Sequence, residues 1–170
     1  MFDIGDNIVY GSNGVCTIMN VGPLNFGGVS QDRLYYTLKP RYIKRSEIFS
    51  PTENNTMVMR KVMTKTEADD FVKTIPEVEP LEIVDDKRRD QEYKQAVMTC
   101  DPGTVVSLMK TIRLRMDERI AEGKKVTAFD SKYYHIAEDS LYGELAISLD
   151  IEKDEVKDYI VDKIGETVSF

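Results

Sequence analysis

A change of hydrophobic period near residue 60 divides this chain into two kinds of structure, and the glycines of the first seventeen residues constrain the first kind most. In "MFDIGDNIVYGSNGVCT", Gly5-Asp6 turns the backbone into a short β run, Asn7 to Tyr10. Gly11-Ser-Asn-Gly14 turns it back into a second, Val15 to Val21. Asn and Gly tolerate the left-handed angles that tight hairpins need. Gly22-Pro23 and Gly27-Gly28 mark a loop before a third run, "RLYYTLK" from Arg33 to Lys39. A turn over Pro40 to Ser46 carries Arg41, Lys44 and Arg45, and a fourth run, Glu47 to Ser50, ends at Pro51. Four or five strands over residues 1 to about 60 make a small, strongly bent sheet. A sheet so short leaves an edge open, and an open edge accepts a partner's strand.

Beyond Arg60 the period is helical. Thr66 with Asp69 three residues on predicts a capped helix through about Thr74. Ile75-Pro-Glu-Val-Glu-Pro-Leu81 predicts a stiff acidic connector, because prolines forbid a continuous helix. Asp85 or Asp86 caps a helix to about Met98. Asp101-Pro102, an N-cap acid followed by proline at the first helical position, opens the next. That helix carries Val105, Leu108, Met109, Ile112, Met116 and Ile120 on one face and stops at Gly123. Asp130 is expected to cap a further helix with Tyr133, Ile136, Ala137, Leu141 and Leu145 inward. A last one, Glu152 to Ile164, carries Val156, Tyr159, Ile160 and Ile164 and is closed by Gly165. The expected organisation is α+β: a β module over 1–60 and a helical bundle over 61–170.

Charged residues make up 31% of the chain against 41% hydrophobic, which suits small domains with much surface, and 170 residues leave room for one ordinary domain or two small ones. The net charge of -7 argues against indiscriminate nucleic-acid binding by the whole molecule. The charge is uneven, however. Lys87 to Lys125 holds ten Lys/Arg and six Asp/Glu, whereas Val126 onward holds four Lys and eleven Asp/Glu. A basic stretch inside an acidic protein fits a directed phosphate contact. Cys16 and Cys100 lie far apart and read as reduced thiols. Phe2-Asp-Ile-Gly-Asp6 lacks the basic start and apolar run of a signal peptide, and the uncharged stretch from Asn7 to Gln31 is broken by glycines. A soluble, cytoplasmic protein is expected.

Material for catalysis is thin. The single histidine, His135, sits among Tyr133, Tyr134 and Ile136 and reads as a half-buried structural residue, with no second histidine to share a metal. No CxxC, HExxH, GxSxG or phosphate-loop pattern occurs. The acid pairs Asp69-Asp70 and Asp85-Asp86 read as helix-start charges. Neither an enzyme nor a metal or cofactor is expected. The cations are more informative. Lys87, Arg88 and Arg89 stand at a helix start, where they do not help the helix. Lys110 and Arg113 lie one turn apart, opposite much of the apolar stripe, and Lys124-Lys125 follow the breaker Gly123. A solvated face with intrahelical pairs is the plain reading, and a phosphate-binding face the sharper one.

"IGDNIVYGSNGVCTI", "RLYYTLKP", "IFSPTEN" followed by "MVMRKV", and "AEDSLYGELA" resemble, in that order and spacing, the CarD/CdnL family of bacterial transcription regulators, whose N-terminal module is shared with the transcription-repair coupling factor. The resemblance covers nearly the whole chain. It implies a Tudor/SH3-like β-barrel that binds the β subunit of RNA polymerase by strand pairing, with Ile48, Phe49 and Ser50 facing polymerase. It also implies a helical domain on promoter DNA at the upstream edge of the melted region. Lys87, Arg88 and Arg89 fall on the family's basic positions, Lys110 on another, and Lys132 at or beside a further one. The family's minor-groove tryptophan is missing, since the chain has no Trp. Ile83, in Leu81-Glu-Ile-Val-Asp85, is the aliphatic candidate for that wedge. Arg41, Lys44 and Arg45 complete the candidate polymerase set, and Arg113, Lys124 and Lys125 the candidate nucleic-acid set. The alternative is an adaptor that binds polymerase or another partner without touching DNA, to which the missing tryptophan and the overall acidity point.

Overall fold

A computed structural model describes residues 1–24, 33–44, 47–53 and 56–165. Five antiparallel strands come first: β1 (Asn7–Tyr10), β2 (Val15–Pro23), β3 (Leu34–Pro40), β4 (Ile48–Pro51) and β5 (Met59–Lys61). Five helices follow: α1 (Lys65–Thr74), α2 (Arg89–Met98), α3 (Pro102–Ala121), α4 (Ala128–Leu149) and α5 (Val156–Ile164). The α+β layout expected from the sequence is the one observed. The strand order β4-β3-β2-β1-β5 puts β4 at one end of the sheet and β5 at the other. β5 is three residues long, too short for an alternation pattern, and the sequence does not locate it. The glycines of the Gly22–Gly28 loop beyond Gly22 lie outside the described residues, as does Arg45.

The sheet is covered on both faces. Ile8, Tyr10, Cys16, Ile18, Tyr36 and Leu38 form a core on one side. Val9 and Val15 turn to the other and meet Cys100, which follows α2. This double coverage explains why Ile8-Val9-Tyr10 is buried throughout rather than in alternation. Gly11 and Gly14 hold positive φ of 47° and 63° in the β1–β2 turn, so the turn takes the left-handed backbone that its sequence predicts.

The helical unit closes around Tyr93, Val106, Leu108, Met109, Ile112, Leu141, Leu145 and Ile160, among others. Asp101 Oδ2 accepts from the Thr104 N–H at 2.7 Å, so the α3 start is the one expected. Several local expectations are corrected. The capping box of α1 is Thr64 with Glu67, two residues earlier than Thr66 with Asp69. Thr127 caps α4, and Asp130 sits inside its first turn, fully buried. Ile120 is 59% exposed, because α3 outruns the core it packs on. His135 is exposed rather than half-buried, with Glu138 3.7 Å away. Asp69 and Asp70 lie well inside α1, not at its start, where both pair with Lys73. The proline-rich connector makes one 3-10 turn, Ile75–Glu77, and then lies along α3.

Candidate functional site

Two surfaces carry the residues singled out by sequence. On the sheet, the register Thr37↔Phe49 and Tyr36↔Ser50 sends successive β4 side chains to opposite faces. Ser50 is fully buried, and its Oγ lies 3.2 Å from the Tyr10 hydroxyl. Ile48 packs on the sheet core. Phe49 is the large β4 side chain directed outward, 38% exposed. Of the three candidate residues on β4, only Phe49 therefore presents a side chain; Ile48 and Ser50 turn theirs inward. Arg41 and Lys44 are exposed in the turn before β4, and no carboxylate among the described residues pairs with either.

On the helical unit, geometry sorts the cations sharply. The Lys110 ammonium donates to the carbonyl oxygens of Ile75, Pro76 and Val78 at 2.7, 3.3 and 2.7 Å. Burial lowers its pKa. It holds the connector onto α3, helped by Ser107 and Thr111, whose side chains bond Glu79 O and Leu81 N. Arg113 pairs with Asp117, Lys124 with Glu122, and Arg119 donates to the Lys125 carbonyl. Arg115, at 3.0 Å, serves the buried Asp130, which also meets the Tyr93 and Thr127 hydroxyls. Arg89 is bound to Asp86 and to the Tyr93 hydroxyl, its side chain 15% exposed. Burial works against its charge, but those two partners leave its pKa above the ordinary value.

Lys87, Arg88 and Lys125 are exposed, without a carboxylate partner among the described residues. So is Lys94, which shares the rim of a groove of about 380 Å³ with Lys132, itself lying over the Tyr133 ring. Asp85 caps the turn that carries Lys87 and Arg88 by accepting the Lys87 N–H at 2.9 Å. Ile83 packs against the helical core, while Val84 is 91% exposed. In an extended segment neighbours face opposite ways, so Leu81 and Ile83 turn inward together and Val84 turns out.

The sequence does not single out the residues that join the two units. Arg60 lies opposite Val9 on the covered face of the sheet. Its guanidinium grips Glu144 of α4 bidentately at 2.5 and 2.7 Å, and its Nε donates to Cys100 O at 2.6 Å. Burial alone would lower the Arg60 pKa, but the Glu144 carboxylate outweighs it and raises the value. Glu144 is 2% exposed and also accepts the Met63 N–H. Gly11 N–H donates to Cys100 Sγ at 3.0 Å. Burial pushes the Cys16 thiol up to about 12 and raises that of Cys100 as well, so both are thiols rather than thiolates. A signal for Glu144 did exist: an acid between Leu141 and Leu145 on an apolar stripe needs a buried partner.

The sheet unit thus presents an outward aromatic on its terminal strand, beside a basic turn. Residues 2–63 match the family model of the CarD-like/TRCF RID domain, and the match ends just before Thr64 caps α1. This gives the sheet unit a transcription-related, RNA-polymerase-interacting role. No curated protein matches the chain. No described helix is long and apolar enough to cross a membrane.

Proposed function

We propose that this chain is a transcription regulator that binds the β subunit of RNA polymerase through β4 and contacts promoter DNA through its helical unit, modulating the stability of the melted promoter. The observation that carries the first half is the family match over residues 2–63 together with Phe49, exposed on the terminal strand. Arg41 and Lys44 flank that strand and suit an acidic rim on the partner, with Arg45 assigned beside them from sequence. Supporting the second half are Lys87 and Arg88, held outward by the Asp85 cap, with the exposed Val84 immediately before them. Lys125 and Lys132 extend the same chemistry. We assign to Val84, exposed where Ile83 packs inward, the aliphatic contact with an unstacked base step for which the resemblance suggests Ile83.

The test is open-complex lifetime with cognate polymerase, alongside polymerase affinity. Phe49→Asp is expected to lower polymerase affinity tenfold or more, on the order of the loss of an aromatic anchor. The Lys87→Ala/Arg88→Ala pair should leave that affinity unchanged and alter only the lifetime. If the pair alters neither quantity, the DNA contact falls and the adaptor reading replaces it.

A further inference from the structure

The stripe Ser140, Gly143 and Glu144 on α4 meets three separate parts of the sheet unit, because residues three and four apart share one helix face. At Ser140, the Cα lies 3.5 Å from where a Cβ on Gly14 would stand, so the β1–β2 turn rests on the helix backbone. At Gly143, the ring of Tyr42 lies so close that a Cβ there would stand 2.8 and 2.9 Å from its Cδ2 and Cε2. Lys153 Nζ lies over that ring, 5.1 Å from its centroid, and Lys153 is bound to Asp139. At Glu144, the carboxylate holds Arg60 of β5. One terminal strand, β5, and Tyr42, two residues past the end of β3, are therefore fixed to the same stripe.

We propose that α4 is the pedestal that sets the polymerase-facing edge: Gly143 seats Tyr42, and so orients β4, while Glu144 anchors the opposite end of the sheet through Arg60. This rests on the reading that β4 binds polymerase. It makes Gly143 and Tyr42 positioning residues for that contact. Gly143 is buried, and no partner can touch it. The matched domain stops at residue 63, yet the geometry of its recognition strand is held by residues 140–144. Coupling of this kind is reciprocal, so a partner on β4 and a ligand on the helical unit influence each other through the same contacts.

The experiment uses the full chain with Gly143→Ala, Tyr42→Ala and the double variant. Alanine is a better helix former than glycine, so Gly143→Ala does not weaken α4 through propensity. Its methyl displaces the ring or the turn, and either outcome breaks the seat. Each single variant should lose about fivefold in polymerase affinity, the scale of one coupled contact, and the double variant should lose no more than either single one. In the free chain, amide exchange at Ile48 to Ser50 should quicken in Gly143→Ala while that of Ile8 and Ile18 stays as in the wild type. Unchanged exchange at β4 overturns the proposal. So does faster exchange with unchanged affinity, and so do additive losses, which would mean that Tyr42 touches polymerase directly. Should the wild-type chain not bind polymerase at all, the functional reading falls, and the exchange measurement decides the pedestal by itself.

Discussion

The cations of α3 and the pair Lys87 and Arg88 just before α2 share one chemistry and have opposite fates. Along α3 and just past its end, Lys110 holds connector carbonyls, Arg115 holds a buried aspartate, Arg119 holds a carbonyl, and Arg113 and Lys124 have acids beside them. Just before α2, Lys87 and Arg88 protrude from a turn whose acid cap uses backbone N–H instead of their side chains. A helix packed on three neighbours offers its cations many acceptors. A short turn at the end of an extended connector offers few. A basic stretch in a sequence counts charges, and packing decides which of them remain available to a phosphate.

The sharpest way to break this comparison is at Asp130, where an α3 cation has a buried anion as its partner. Asp130→Ala leaves the Arg115 guanidinium and the Tyr93 and Thr127 hydroxyls without their shared acceptor. Removing one partner of a buried pair costs about 3–5 kcal/mol, to be read from urea unfolding. The exposed Arg113–Asp117 pair, with side chains 46% and 50% exposed, should contribute below about 0.5 kcal/mol. Similar losses at the two sites would show that position along α3 does not separate structural from surface cations.

A smaller effect comes from an anion engaged in the same way. Asp69 of α1 accepts from Lys163 at 2.8 Å, from the Tyr159 hydroxyl at 2.5 Å and from Lys73 at 3.3 Å, tying α5 to α1. The Lys163 ammonium first, then Tyr159 and Lys73, hold its carboxyl well below the ordinary 3.8. A group whose folded pKa is depressed stabilises the fold above its unfolded pKa, and that contribution fades as pH falls toward the folded value. Stability should therefore drop from about pH 5 downward. In Asp69→Asn the same decline should be shallower. An identical pH profile for the two proteins would remove Asp69 from the acid response.

The strands and caps were legible where the signal is local. The Gly11-Ser-Asn-Gly14 turn and the Asp101-Pro102 start each depend on a few adjacent residues, and both stand where the sequence puts them. Thr66/Asp69 misled because Thr64/Glu67, two residues earlier, satisfies the same spacing with a longer acid that reaches back to the cap. Lys110 could not be assigned from sequence, since its acceptors lie 32 to 35 residues away and are carbonyls with no side-chain signature. The strand β4 was legible as a segment, but which side chain faces outward depended on its register against β3. The joint between the units was the least visible feature. Arg60 and Glu144 are 84 residues apart, and although Glu144 stands on an apolar stripe, nothing local to Arg60 marks it as the partner.

The finest test of the comparison concerns salt. If only unengaged cations meet phosphate, Arg88 and Arg113 should differ although each removes one positive charge. Each phosphate contact contributes about 0.9 to the slope of log affinity against log salt. Affinity of the chain for a polymerase–promoter complex, divided by its affinity for polymerase alone, isolates the DNA contribution. Across a salt series, Arg88→Ala should flatten that slope by about one unit and weaken binding alike on different promoter sequences. Arg113→Ala should flatten it much less, because Asp117 already neutralises the guanidinium. Asp117→Ala supplies the converse: it frees Arg113, and if α3 faces DNA the slope should steepen. A slope that answers to neither Arg88 nor Asp117 would place the DNA away from both helices. Equal flattening by Arg88→Ala and Arg113→Ala would mean that net charge governs binding, and not the distinction between engaged and exposed cations.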